Sequence, residues 1–407
     1  MIRAFNFVTL PLLTFYITRE EMGLYQLLVG GMAIGVEVLT LGTRQYITIE
    51  YFKQRGWRSK LLLLRHNLEV YLYITAPLFF FLYLILSFQI DGTYLLLLGI
   101  TVIQSYCNTF NELYLSVLQF EMRFKKYNLV SFLFGFLQVS FVLIAVVFLR
   151  LKLYGFIFGL VLAEFLQLAY TLKITWRYFP LLKKIKRSKS FDLSNILKNS
   201  IVFIPSMLSF WLLMNIDQWM LGTQAGLEEV GLYAFAGKFP LLFDFLLTSS
   251  FILVYTPFLY RKLKIHFVSG AIGNIQLSFA VLVMSIGCYY LAYRLSFLCE
   301  WLISPNFYAA IDLIPSMLFI ACIRFATHTI HLSLKFKQHL FFIMLCNFIA
   351  AILNISLNYL WIPTYGIQGC LFATLVSFSL MYVISLLRLF AIIKTERNKE
   401  AVVRHAS

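Results

Sequence analysis

The stretch from Asn199 to Pro257 decides how this chain folds. Ser200 to Leu221, SIVFIPSMLSFWLLMNIDQWML, is almost wholly apolar and closes on Asn215-Ile216-Asp217-Gln218-Trp219. A polar link follows, Gly222 to Val230, and a second apolar arm opens at Gly231-Leu232-Tyr233. A helix needs roughly 20 residues, at about 1.5 Å each, to cross a bilayer, and each arm is long enough. The pattern is a transmembrane helical hairpin. Asp217 and Lys238 lie inside it, on the order of 7–11 Å below the same membrane face. An ionisable group at that depth is costly unless it meets a partner or water. Two readings stand: the pair lines a polar lumen that needs charge, or it is a structural ion pair pinning two helices.

The rest of the chain has the same character. Of its 407 residues 61% are hydrophobic and 13% charged, with mean hydropathy +0.82, far from the balance of a soluble domain. This is an all-α polytopic membrane protein. Apolar runs place spans near 2–17, 23–43, 61–88, 94–118, 129–149, 155–175, 200–221, 231–257, 275–298, 312–332, 340–361 and 369–390. The first, at about 16 residues, is at the lower limit for crossing. It is either tilted into a thin region or preceded by more chain, and no cleavage site marks it as a signal peptide.

The formal charge of +16 is explained by its distribution. One set of connections carries Arg44 to Lys60, Arg123 to Lys126, Arg177 to Lys198, Arg261 to Lys264, Lys335 and Lys337, and the basic tail; the other carries only Arg19, Arg150 and Lys152. By the positive-inside rule the first set and both termini are cytoplasmic. The excess charge sets orientation and does not indicate nucleic-acid binding. Arg44 to Lys60, with interleaved Tyr46, Tyr51 and Trp57, reads as an interfacial segment held by membrane lipids. The six cysteines stand singly with no Cys-x-x-Cys, so no metal site or disulfide framework is indicated.

An internal repeat divides the chain. Glu20-Glu21-Met22-Gly23-Leu24-Tyr25 recurs at an offset of 208 as Glu228-Glu229-Val230-Gly231-Leu232-Tyr233, and Tyr154-Gly155 recurs at 211 as Tyr365-Gly366. Six spans separate the copies, so the halves are parallel. The expected organisation is an N-lobe over 1–175, a basic linker over 176–198, a C-lobe over 199–390 and a cytoplasmic tail over 391–407.

Polar residues inside spans are the candidate site. In the first half these are Arg3, Glu37, Asn111, Glu112 and Glu164; Arg3 reads first as snorkelling to headgroups. In the second half Lys238 and Asp244 lie about 120° apart around one helix, and Pro240 should bend it beside Lys238. Arg324, His328 and His331 share one stripe, which should line the lumen or pack on another polar helix. No carboxylate spacing makes the two histidines a metal site. Asn347, Asn354 and Asn358 form a further stripe, explained by interhelical hydrogen bonds. There is no phosphate-binding Gly-rich loop and no nucleophile–base constellation, and the outer loops are too short for a polysaccharide polymerase, so the chain is expected to be neither an ATPase nor another enzyme.

Several stretches resemble the polysaccharide-exporter branch of the MATE-like (MOP) superfamily, the Wzx-type flippases. They are Pro11-Leu12-Leu13-Thr14 with Thr18 to Tyr25; Asn215 to Leu221; Glu229 to Lys238 followed by Pro257-Phe258; and Tyr365-Gly366-Ile367-Gln368-Gly369. The family's first helix is usually longer. The resemblance implies twelve helices in two pseudo-symmetric six-helix lobes and no cofactor. It also implies passage of a lipid-linked oligosaccharide, on an undecaprenyl pyrophosphate carrier, across the bacterial inner membrane for O-antigen or a related lipopolysaccharide component. Lys238, Arg324, His328 and Arg3 would face the charged head, with a polysaccharide polymerase and a chain-length regulator as partners. Two other readings stand beside it: a cation-coupled small-molecule antiporter of the same fold, with Glu37, Glu112 or Glu164 as coupling carboxylate, and a structural membrane subunit.

Overall fold

The computed structural model describes residues 13–43, 46, 50–51, 63, 65, 69–87, 92–175, 193–201, 204–244, 250–296, 300–301 and 303–406. Arg3, most of the interfacial segment and most of the basic linker lie outside them. The described secondary structure is helical, with no strand among the described residues. In chain order the helices are α1 (Arg19–Leu39), α2 (Ala76–Ser87, entered by a π turn at Tyr71–Thr75), α3 (Gly92–Phe120), α4 (Phe124–Leu143, extended by a π turn to Phe148) and α5 (Lys152–Thr175). There follow α6 (Leu193–Ile201), α7 (Ile204–Gln224), α8 (Leu227–Ala236), α9 (Lys238–Phe243), α10 (Ser250–Ile265) and α11 (Phe267–Leu295). A 3₁₀ segment, Pro305–Leu313, leads into α12 (Ile314–Phe336), and α13 (Leu340–Ala406) ends the chain.

Local chemistry accounts for the boundaries. α1 starts in a reciprocal capping box: the Thr18 amide donates to Glu21 Oε2 at 2.9 Å, and the Glu21 amide to Thr18 Oγ1 at 3.2 Å. α7 runs three residues past the expected Leu221, so the polar link shrinks to Ala225-Gly226. Both amides of that link bond back to the Leu221 carbonyl, and Gly226 at φ 97° takes a backbone conformation that other residues resist. Glu228 and Glu229 then sit in the first turn of α8, where a helix favours acids. α8 breaks at Gly237. Pro240 offers no N–H to the Ala236 carbonyl four residues back and crowds it, so the break falls ahead of the proline. α11 begins at Phe267, eight residues before the expected 275, because only His266 separates it from α10. Within α13 the backbone turns at Gly366 (φ 54°, ψ −131°), in the expected outer turn, and the tail continues as helix to Ala406.

Burial is inverted relative to a water-soluble protein. Along α11, Asn274 and Ser278 are fully buried while Val283 and Met284 are 67% and 71% exposed. Apolar outside and hydrogen-bonded polar inside is what a hydrocarbon solvent selects. Five described stretches are long and apolar enough to cross a membrane: Phe124–Phe148, Lys152–Ile174, Phe267–Leu295, Pro305–Phe336 and Leu340–Asn398, the last containing the Gly366 turn. The protein is an all-α, multi-pass membrane protein.

Contacts group the chain into two compact units. The first holds Tyr25–Trp211; the second holds Leu212 onward together with residues 13–24. In the first, Tyr114, Leu115 and Leu118 of α3 pack on Val130 and Phe134 of α4, with Tyr170 and Ile174 of α5 closing the cluster. In the second, α12 is the enclosed centre, packed on α11 and α13. The contact boundary thus falls inside α1 and α7, not in the basic linker.

Candidate functional site

Among the described residues each unit carries a carboxylate inside an apolar helix, and the two are built differently. In the second unit Asp217, on α7, is 4% exposed. Its Oδ2 accepts from the Tyr233 hydroxyl at 2.6 Å, and its Oδ1 from the Gln218 amide at 2.8 Å. The Thr374 hydroxyl of α13 lies against the same carboxylate. Beyond it Asn354 Nδ2 donates to Thr374 Oγ1 at 3.3 Å, and Asn358 Nδ2 to Asn354 Oδ1 at 3.0 Å. Asn354 and Asn358 of the asparagine stripe are therefore one end of a chain of hydrogen bonds that reaches Asp217. Its far end, Asn358 Oδ1, is buried without a hydrogen-bond partner.

The described donors to Asp217 are thus hydroxyls and an amide, where the sequence matched it with Lys238 by depth. The reason is the helix break: Tyr233 is on α8, while Lys238 is the first residue of α9, beyond Gly237. An ion pair does form nearby, between Arg324 of α12 and Asp244 just after α9. Arg324 also reaches Met214 Sδ at 3.5 Å, and the pair keeps about a fifth of its side-chain surface exposed (23% and 21%). The stripe on α12 divides its tasks. His331 is buried, with Nε2 2.9 Å from Ser385 Oγ of α13, so it packs on a polar helix inside its own unit. His328 Nδ1 is buried with no hydrogen-bond partner.

In the first unit Glu164 of α5 accepts at Oε1 from Gln104 Nε2 of α3 at 3.1 Å. Two turns further along α3, Asn111 Nδ2 donates to the Glu164 backbone carbonyl at 3.0 Å, and Thr171 Oγ1 donates to Asn111 Oδ1 at 3.3 Å. Glu164 Oε2 is buried with no hydrogen-bond partner. Its ionisable neighbours are Glu112, Tyr25 and Cys107. Asn111 and Glu164, singled out from the sequence separately, come together here. Glu37 is carried by α1, and Arg3 lies outside the described residues. Thr374, Gln104 and Ser385 were not singled out, and Tyr233 only as part of the repeat; a hydroxyl or an amide in an apolar helix is too common to stand out before its partner is known. Among the described residues no cluster of three His, Cys, Asp or Glu forms around the α12 histidines or elsewhere.

Comparison with known proteins follows the same lines. The family model described as "Polysaccharide biosynthesis protein" matches residues 1–263. No curated protein matches the chain by sequence. Among solved structures the chain is similar to the lipid II flippase MurJ in an inward closed conformation: TM-score 0.71, 14% identity, 95% of this chain and 85% of that one. It is also similar to an inward-facing multidrug resistance MATE family transporter of the MOP superfamily: TM-score 0.66, 14% identity, 97% and 96% covered. A crystal structure of a MATE mutant aligns at TM-score 0.57 and 13% identity, over 98% and 93%. At such identities the likeness establishes a shared fold, that of the MATE-like MOP superfamily.

Proposed function

The chain belongs to the polysaccharide biosynthesis protein family, and on that premise we propose that it is a flippase for an undecaprenyl-pyrophosphate-linked oligosaccharide. It carries an O-antigen or related repeat unit from the cytoplasmic to the periplasmic leaflet by alternating access. The proposal includes the bacterial inner membrane, cytoplasmic termini, and twelve crossings in lobes over 1–175 and 199–390, joined by the basic linker 176–198 and followed by the tail 391–407. A polysaccharide polymerase and a chain-length regulator would act downstream. A pyrophosphate with several sugars does not cross hydrocarbon unaided, because its lost hydration costs on the order of tens of kcal/mol.

The observation that carries the proposal is the basic group of the second unit. Arg324 is paired with Asp244 yet partly exposed, and Lys238, half-buried, opens α9. Such groups offer a charged lipid head a substitute for water, and they fit a family assigned to polysaccharide biosynthesis. Lys238→Ala is expected to abolish surface polysaccharide while the protein inserts at its normal level. Undiminished polysaccharide would remove Lys238 from the mechanism. The antiporter alternative is favoured by one observation, the Glu164 oxygen that lacks a donor, since a coupling proton or cation needs such an acceptor. Drug resistance measured beside polysaccharide complementation separates the two.

A further inference from the structure

We infer that the repeated Glu-Glu-x-Gly-Leu-Tyr motif forms a backbone latch on the outer side, with Gly23 of α1 crossing Gly231 of α8, and that this latch opens and recloses in each transport cycle. The inference rests on the alternating-access reading above, but not on the identity of the cargo.

The two copies meet each other. α1 begins at Arg19 and α8 at Leu227, the same position of the repeat at its offset of 208. A β-carbon placed on Gly23 would collide with the Leu227 carbonyl oxygen and lie 3.1 Å from the Gly231 nitrogen. One placed on Gly231 would collide with the Arg19 carbonyl oxygen and lie 3.1 Å from the Arg19 α-carbon. Arg19 and Leu227 are themselves equivalent, so the contact is reciprocal, as an approximate two-fold between the copies requires. Only glycine at both positions allows the backbones this close.

The neighbouring turns add to the seal. The Ser304 amide donates to Thr14 Oγ1 at 3.0 Å, and Arg19 Nε donates to the Asn306 carbonyl. All three segments belong to the side that carries few Lys and Arg, the outer one by the positive-inside rule.

The construction suits a contact that must release. Two helix N-termini meet, and each carries partial positive charge that repels the other. Glu20 and Glu21 on one, and Glu228 and Glu229 on the other, offset that charge. At the two glycines the contact is backbone against backbone, so parting it there breaks no side-chain interdigitation of those two residues. Residues 13–24 pack in the same compact unit as α8, whereas α1 from Tyr25 to Leu39 groups with the other unit, so one continuous helix carries the latch at its start and a different set of contacts beyond it.

The test uses the full-length protein in cells. The 3.0 Å bond from Ser304 N to Thr14 Oγ1 keeps the two α-carbons within about 7 Å, close to the reach of a disulfide. The pair Thr14→Cys with Ser304→Cys, with each single variant as control for the native cysteines, is expected to cross-link under oxidant, to stop export when cross-linked, and to recover it on reduction. Full export from quantitatively cross-linked protein overturns the inference. A second readout ignores the cargo: labelling of Thr14→Cys by a membrane-impermeant maleimide, on inserted protein only. Gly23→Ala or Gly231→Ala is expected to raise that rate at least tenfold and to slow cross-linking of the pair. Gly35→Ala, where a β-carbon meets nothing within 4 Å, is expected to change neither. Unchanged labelling in both latch variants also overturns the inference, even where export of a lipid-linked oligosaccharide is upheld. If the labelling responds while no such lipid is exported, the substrate assignment falls and the latch stands.

Discussion

Asp217 and Glu164 are both acids inside apolar helices, but the first is saturated and the second is not. Around Asp217 a phenol, a backbone amide and a threonine hydroxyl converge on two oxygens. Around Glu164 one amide serves one oxygen, and the other is buried with no donor. A carboxylate fully supplied with donors is a fixed point that ties α7 to α8 and α13. One with an unserved oxygen keeps room for a proton, a cation or a new donor, and leaving it so costs about 1–3 kcal/mol. The contrast separates a structural acid from one able to change its state during a cycle.

Three substitutions break or sharpen that contrast. Asp217→Ala removes the acceptor shared by the Tyr233 hydroxyl, the Gln218 amide and the Thr374 hydroxyl and is expected to cost about 3 kcal/mol, seen as a lower melting temperature of the detergent-purified protein. A loss under about 1 kcal/mol would mean the network holds nothing. Tyr233→Phe deletes the phenol oxygen, with its hydrogen bond to the carboxylate and its contacts to Thr374 and Cys370, expected at about 2 kcal/mol. Combined with Asp217→Asn it should be clearly non-additive, and additive losses would argue that the two residues act apart. Glu164→Gln is expected to change stability by under about 0.5 kcal/mol, because its amide oxygen keeps the Gln104 bond and the loss of a buried ionisable group offsets the unpaired N–H groups that replace the unserved oxygen. Transport should nevertheless fall if Glu164 couples it. Destabilisation as large as that of Asp217→Ala would erase the distinction.

The same boundary between local and distant information runs through the fold. The repeat could be read directly, and its two copies begin their helices at equivalent residues. The Gly366 turn falls in the gap between the expected spans 340–361 and 369–390, and the disruption beside Lys238 followed from Pro240. The length of the hairpin link did not, because helix ends move by several residues once an isolated polar residue such as Thr223 finds a carbonyl, here that of Met220. The asparagines of α13 were recognised as hydrogen-bonding, yet their connection to Asp217 runs through Thr374, on the far side of a turn.

Hydropathy and the internal repeat, taken along the chain, were enough to determine a membrane-embedded helical protein and two copies of one motif that open their helices at equivalent residues. These properties are local, and lipid imposes them on every span separately. Which polar group meets which was decided only in three dimensions: Asp217 with Tyr233, Arg324 with Asp244, His331 with Ser385 and Glu164 with Gln104. Pairing depends on how each helix is rotated about its own axis, and a break such as Gly237 resets that rotation for everything beyond it.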